Sequence, residues 1–355
     1  MKRIAGRGVF LLATTLALSL QGARAQESSY LDECPQSKAL IEEAAAQLKG
    51  TQKLCYYHAD KAYVVARSDA GATPECWFTF QAPVSTQKGA GPDAGHFTLF
   101  CGQFLACDGE KISQIRAGGR IVKRDSRELA NYNTVIVDGL PPFEAGDPVY
   151  RPPSITAFKD YGDYLYVAAD LTGPYGRRVK RLTRQIVFLW PNVAVVYDRV
   201  NAPEKVSMSW CLNLMENPKV DGNLMKITSR MTANPFYCLT LLPEDSIVVK
   251  PRLGENGGGV GACPGFRMER QPRDLVSECS FLHVLYLGVR LSDGEALLPT
   301  RLLRTEGHEG VRLEKGGGTT FEFLFANAGG VGGKVTVKKK EGETMQELVV
   351  TIEAP

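Results

Sequence analysis

The feature that most constrains this chain is a succession of short strand-like runs that begins after Gly50. KAYVVARS, ECWFTFQA, HFTLFCG, QFLACDG, NTVIVDG, DYLYVAAD, RQIVFLW, VAVVYDRV and VSMSWCLNL are each rich in Val, Ile, Phe, Tyr and Leu. MKITSRM, YCLTLL, SIVVK, FLHVLYLGV, FEFLFANA, KVTVKKK and QELVVTIEA continue the series. Turn residues separate them, as in SDAG, GPDAG, VDGN, LSDG and KKKEGE, and periodicity 2 bounded by such turns is the mark of strands. About sixteen such runs with almost no helix predict an all-β chain built as a large antiparallel two-sheet sandwich. No fixed-period repeat suggests a propeller. The segment EALLPTRLLRTEGHEG reads ambiguously. Residues 37 to 49, SKALIEEAAAQLK, are the one good helical stretch, with Gly50 as a stop signal.

Residues 1–25 read as an export leader. Lys2, Arg3 and Arg7 precede the apolar run VFLLATTLALSL, and Ala23-Arg24-Ala25 fits a cleavage site before Gln26. The run is too short to span a bilayer, and no other apolar run approaches the needed length. The expected organisation is a signal peptide over 1–25, a helical lead segment over 26–50 and one sandwich over 51–355, in a periplasmic or extracellular protein. The leader carries four basic side chains and no acidic ones, so residues 26–355 hold 38 Lys and Arg against 39 Asp and Glu. That balance gives no support to a nucleic-acid partner.

All nine cysteines fall after the leader, and export makes disulfides possible. The odd number leaves at least one thiol outside intrachain bridges. No CxxC and no Cys/His cluster has zinc spacing. Reading Gly102-Gln103 as a two-residue turn pairs Phe104 with Cys101 and Cys107 with Thr98. Cys101 and Cys107 then face opposite sides and do not bond each other. Residues 252 to 266, RLGENGGGVGACPGF, lack the Gly-Lys-Ser/Thr of a phosphate loop and read as a surface loop.

Five segments, in order, resemble the β-sandwich region of the heparinase II/III-like family of polysaccharide lyases. They are HADKAYVVARS (58–68), CWFTFQA (76–82), PDAGHFTLFCGQFLACDG (92–109), NYNTVIVDG (131–139) and YGRRVKRLTRQIVFLWPNVAVVYDRV (175–200). The resemblance implies a lyase that β-eliminates uronate-containing acidic polysaccharides. It also implies an α/α-toroid facing the sandwich, of which about 25 residues at most precede the match here, so a toroid-bearing partner chain is one expectation. The family's paired histidines before Asp-Ala-Gly fall on Gly89 and Gly91, and its histidine before Asn-Thr-Val falls on Tyr132. Its metal-binding aspartate falls on Asp108, which is kept as a remnant ligand. The expectation is therefore no zinc cofactor and degenerate catalysis.

β-Elimination needs a base, an acid and a neutraliser for the uronate carboxylate. Asp93 belongs to the aligned turn as framework. The residues that could be recruited to catalysis are His96, Tyr132 and Tyr175, each with an ordinary structural reading beside the functional one. Asn131 and Asn133, flanking Tyr132, and the basic run GRRVKRLTR are the glycan-binding candidates. By strand parity Arg178, Lys180 and Arg184 share one face, and Arg177 and Arg181 the other. The basic face fits an acidic polysaccharide, or serves as a charged edge that prevents aggregation. His58 and His308 read as surface residues, His283 as a strand histidine, and Asp138-Gly139 and Asp198-Arg199 as turn and strand-end structure. A non-catalytic glycan-binding or structural sandwich remains the alternative.

Overall fold

The computed structural model describes residues 35–68, 75–83, 93–107, 115–117, 120–122, 132–140, 142–143, 147–228, 235–249, 266–288, 297–341 and 344–352. Among the described residues it is an antiparallel all-β assembly with a short N-terminal α-helix, as expected. The expected export leader, residues 1–25, lies outside the described residues. No helix among the described residues is long and apolar enough to cross a membrane.

Two large sheets form the sandwich. The first runs in the order Cys55–His58, Tyr63–Arg67, Cys76–Gln81, Phe97–Cys101, Phe104–Ala106, Met208–Leu214, Phe266–Pro272, Ser246–Val249, with Val135–Val137 also pairing Met208–Leu214. The second runs Lys219–Asp221, Leu224–Thr228, Pro235–Leu242, Val276–Tyr286, Val193–Val206, Arg181–Leu189, Tyr164–Asp170, Ser154–Asp160. The ring of Phe78 stacks on Phe188 at 5.6 Å and Trp210 stacks on His283 at 3.7 Å, so aromatic side chains lock the two inner faces together.

A third, five-stranded sheet lies on the far face of the second. Its strands are Thr300–Thr305, His308–Lys315, Thr319–Ala326, Gly333–Glu341 and Thr344–Ile352. The ambiguous segment of the sequence thus supplies its first strand and the start of its second. Tyr164 meets Phe323 at 5.4 Å and Tyr197 stacks on Phe325 at 5.0 Å. The second sheet is therefore buried on both faces. That explains why its strands Arg181–Leu189 and Tyr164–Asp170 read as near-continuous buried runs instead of alternating ones.

The helix Pro35–Leu48 starts two residues before the sequence expectation, with proline in its first turn, where the missing N–H costs nothing. Ile41, Ala44 and Leu48 pack with Tyr63, Val65, Trp77, Phe100 and Phe104 on the outer face of the first sheet. Their spacing of three and four residues is what puts them on one stripe. Cys76 and Cys101 stand opposite each other in adjacent strands and are bonded. Cys107 lies elsewhere, with its sulfur 3.6 Å from that of Met215, so Cys101 and Cys107 do not bond each other. The turn differs from the expected one. Phe104 pairs with Phe100, not with Cys101, because a bulge shifts the register between Leu99 and Phe100.

Candidate functional site

The Asp93-Ala94-Gly95 turn delivers His96 to the start of the strand Phe97–Cys101. His96 N–H donates to Asp93 O at 2.9 Å, and Gly95 N–H and Gln81 N–H bond reciprocally to Gln81 O and His96 O at 3.0 and 2.9 Å. Gly95 has φ +77°, and a Cβ there would lie 2.3 Å from Leu171 Cδ1, so both backbone conformation and space demand glycine. The carboxylate of Asp93 accepts from Gln81 Nε2 at 3.4 Å. Burial, and then the charge of Asp93, push the Tyr150 phenol up to about 12.

His96 is buried, and so are Asn133 and Tyr132 beside it. The Tyr132 ring meets the imidazole edge-on at 5.2 Å. The Asn133 N–H donates to His96 Nδ1 at 3.0 Å. A backbone N–H can only donate, so Nδ1 holds a lone pair and the neutral ring carries its proton on Nε2. Nε2 lies 3.3 Å from Thr98 Oγ1, which in turn sits 2.8 Å from Ser37 Oγ of the helix. Burial, and secondarily the Arg184 guanidinium, lower the His96 pKa to about 3. The ring is thus a fixed hydrogen-bond acceptor and donor, and it does not charge near neutral pH.

On the core side of the same turn stands Arg184, fully buried. Its Nε and Nη2 form a two-pronged bond with Asp198 at 2.6 and 2.7 Å, across the register pair of their strands. Nη1 donates to Asn133 O at 2.7 Å and also to Gly95 O. The guanidinium lies 5.3 Å from the Phe97 ring. Asn133 completes the knot, with Nδ2 donating to Phe97 O at 2.8 Å and Oδ1 accepting from Asn213 N–H at 2.7 Å. Tyr175 is also fully buried, with its hydroxyl donating to Val135 O at 2.5 Å. Burial, partly offset by Arg184, raises its pKa.

The structure therefore brings His96, Tyr132, Asn133 and Arg184 into one polar cluster, with Tyr175 against the neighbouring Val135. It does so as framework that ties the first sheet to the second. The expectation that Arg184 shares an open face with Arg178 and Lys180 is corrected. Gly173–Arg178 is a 3₁₀ turn and the strand begins only at Arg181, so strand parity does not run through 177–180. Arg184 and Asn133 are enclosed and cannot meet a polymer on the surface. Arg177 and Lys180 are exposed, and Arg178 is half-buried, with its guanidinium over the Phe143 ring at 4.2 Å. His58 approaches Glu43 at 3.7 Å, and His283 is buried against Trp210, with Nδ1 3.1 Å from Thr240 Oγ1. Asn131 and Asp108 lie outside the described residues.

Among the described residues, the donors at the aligned positions suit a zinc ion poorly, since His96 Nδ1 is already bonded to a backbone N–H and Tyr132 carries a phenol. Among the described residues no group of three or more His, Cys, Asp and Glu side chains stands together. Sequence reasoning missed Arg181 and Arg199 as a pair. Arg181 starts its strand opposite Asn201, and Arg199 reads from the sequence as strand-end structure. Both reach the loop at Gly329, a long-range contact with no signal in the local pattern.

Among solved structures, the fold is shared with heparan sulfate lyase HepC from Pedobacter heparinus at a TM-score of 0.61 and 14% identity, over 86% of this chain and 48% of that one. A heparinase III, the BT4657 gene product, matches at 0.58 and 13% identity over 93% of this chain and 48% of that one. Another heparinase III structure matches at 0.56 and 13% identity over 85% and 43%. The chain spans about half the length of these structures, consistent with their C-terminal region. At this identity the likeness concerns the fold. No family model and no curated protein matches the chain.

Proposed function

We propose that this chain is an exported lyase-fold protein that holds an acidic polysaccharide and does not itself carry out β-elimination at an enzyme's rate. The observation that carries the reading is His96. It is the histidine nearest the aligned catalytic turn, yet it is buried, its Nδ1 is committed to the Asn133 N–H, and its pKa sits at about 3. A general acid or base must reach its proton partner and titrate near working pH. Tyr175 fails on the first count, being enclosed and bonded to Val135 O. Losing one such group costs about 10²–10⁴-fold.

Binding is a lesser demand than catalysis, since it needs only charge and geometry. Arg177 and Lys180 are exposed at the turn into the strand Arg181–Leu189, with Arg178 half-buried beside them. Guanidinium groups there suit sulfate and carboxylate groups, and one of the lyases of the same fold is a heparan sulfate lyase. A toroid-bearing partner chain would add the second wall of a cleft, and the half-length coverage of those lyases favours looking for one. The test measures unsaturated uronate formation and column retention on the same panel of sulfated and unsulfated uronate polymers. Retention without product supports the reading, as does a salt dependence reflecting screening over about 8–10 Å. Product formation, or near-stoichiometric zinc in the purified protein, contradicts it.

A further inference from the structure

Where the strand Arg181–Leu189 begins, the second and third sheets part to leave a cleft of about 560 Å³, within the ~300–1,000 Å³ typical of small-ligand sites. Three neighbouring strands align its floor, since Arg181 is in register with Asn201 and Asn201 with Glu278. The loop at Gly329 of the third sheet forms the opposite wall. Lys180, Arg181 and Arg199 all line it. Arg181 Nη1 and Arg199 Nη2 both donate to Gly329 O, and Arg199 Nη1 to Ala326 O at 3.1 Å, so two like charges converge on one carbonyl. Burial, with Arg181 acting in the same sense, pushes Arg199 below its ordinary pKa. Among the described residues none of the three cations forms an ion pair. Glu278, the one carboxylate of the lining among the described residues, is engaged by Asn201 Nδ2, and Glu309 acts on Arg199 from outside the lining.

Three cations against one engaged carboxylate leave a positive, concave surface, where a bound oxyanion relieves the repulsion. The forked N–H groups suit two oxygens of a sulfate or carboxylate at once. Ser280 and Asn327, also in the lining, give neutral partners for hydroxyl groups. We propose that this cleft is a subsite for a short saccharide unit bearing a sulfate or carboxylate group, separate from the His96 cluster. It deepens the acidic-polysaccharide reading, on which the choice of saccharide rests, by giving one anionic unit a defined seat.

The experiment titrates the full-length protein with three probes: a sulfated uronate disaccharide, its unsulfated counterpart, and inorganic sulfate. Wild type is compared with Lys180→Glu, Arg181→Gln and, exposed at the far edge of the second sheet, Lys219→Ala, each checked for an unchanged melting temperature. The expected result is disaccharide binding weakened about tenfold or more by Lys180→Glu and by Arg181→Gln and unchanged by Lys219→Ala. If Arg181→Gln loosens the Gly329 loop and fails the melting check, Lys180→Glu still decides. Disaccharide binding indifferent to both cleft variants overturns the subsite, even if long polymers are still retained. Binding of inorganic sulfate as tight as that of either disaccharide overturns the saccharide assignment. Cleft-dependent disaccharide binding with no retention of any polymer supports the subsite and counts against the polysaccharide reading. No binding of any probe overturns the subsite.

Discussion

Removing either partner of the Arg184–Asp198 pair should be the most damaging kind of single change in the polar cluster. Arg184 and Asp198 are both fully buried and share two bonds of 2.6 and 2.7 Å. In Asp198→Ala the guanidinium stays in the core with no counter-charge, a loss of about 3–5 kcal/mol. Arg184→Met leaves Asp198 equally stranded and also strips Nη1 from Asn133 O and Gly95 O, so its cost is at least as large. The double variant Arg184→Met/Asp198→Leu removes both charges together. It retains only the loss at the two carbonyls, about 1–3 kcal/mol each. The double should therefore be clearly milder than the sum of the singles, a favourable coupling. Urea unfolding followed by tryptophan fluorescence reads it out. For the roughly 250 described residues, 3–5 kcal/mol corresponds to a melting shift of about 6–10 °C. A cost below about 1 kcal/mol for Asp198→Ala, or a double equal to the sum of the singles, would refute the idea that this pair holds the turn and the two sheets together.

Three further outcomes follow from the same geometry. His96 is held at a pKa of about 3, below its unfolded value of about 6.5. The unfolded chain then binds the extra proton, so its stabilising contribution is fully present above pH ~6.5 and is lost as pH falls toward 3. The slope reaches up to about 1.4 kcal/mol per pH unit. In His96→Gln, stability measured across this window should flatten, though not fully, because buried His283 is shifted in the same direction. Serine at both Cys76 and Cys101 removes a bridge spanning a sequence separation of 25, costing about 3–4 kcal/mol by chain entropy, and peptide mapping should find this pair linked. Gly95→Ala drives a Cβ against Leu171 at positive φ, and calorimetry should show a loss of about 1–3 kcal/mol.

Much of the fold is legible in the sequence because strand signals are local. The alternation in HFTLFC and the runs RQIVFLW and VAVVYDRV map onto observed strands. The site was less legible, for reasons that are not local. Arg184 sits amid four other basic residues and reads as surface, yet its partner Asp198 arrives from the next strand and its carbonyl acceptors from Gly95 and Asn133. The face assigned to Arg178 and Lys180 failed because a 3₁₀ turn interrupts the period-2 pattern just before Arg181. The pairing of Cys76 with Cys101 required the register between two strands separated by residues 82 to 96. The bulge at Leu99/Phe100 moved Phe104 by one place, which no turn residue announced.

The central claim is that the aligned catalytic face has become framework while an acidic polymer is still held. The most direct measurement is the appearance of unsaturated uronate product when the purified full-length protein is incubated with sulfated and unsulfated uronate polymers that it retains. The expected result is retention with no product above the protein-free blank, and no change in that baseline for His96→Gln or Tyr132→Phe. Steady product formation by the wild type that either substitution abolishes, with the fold intact, would contradict the claim and make that residue catalytic.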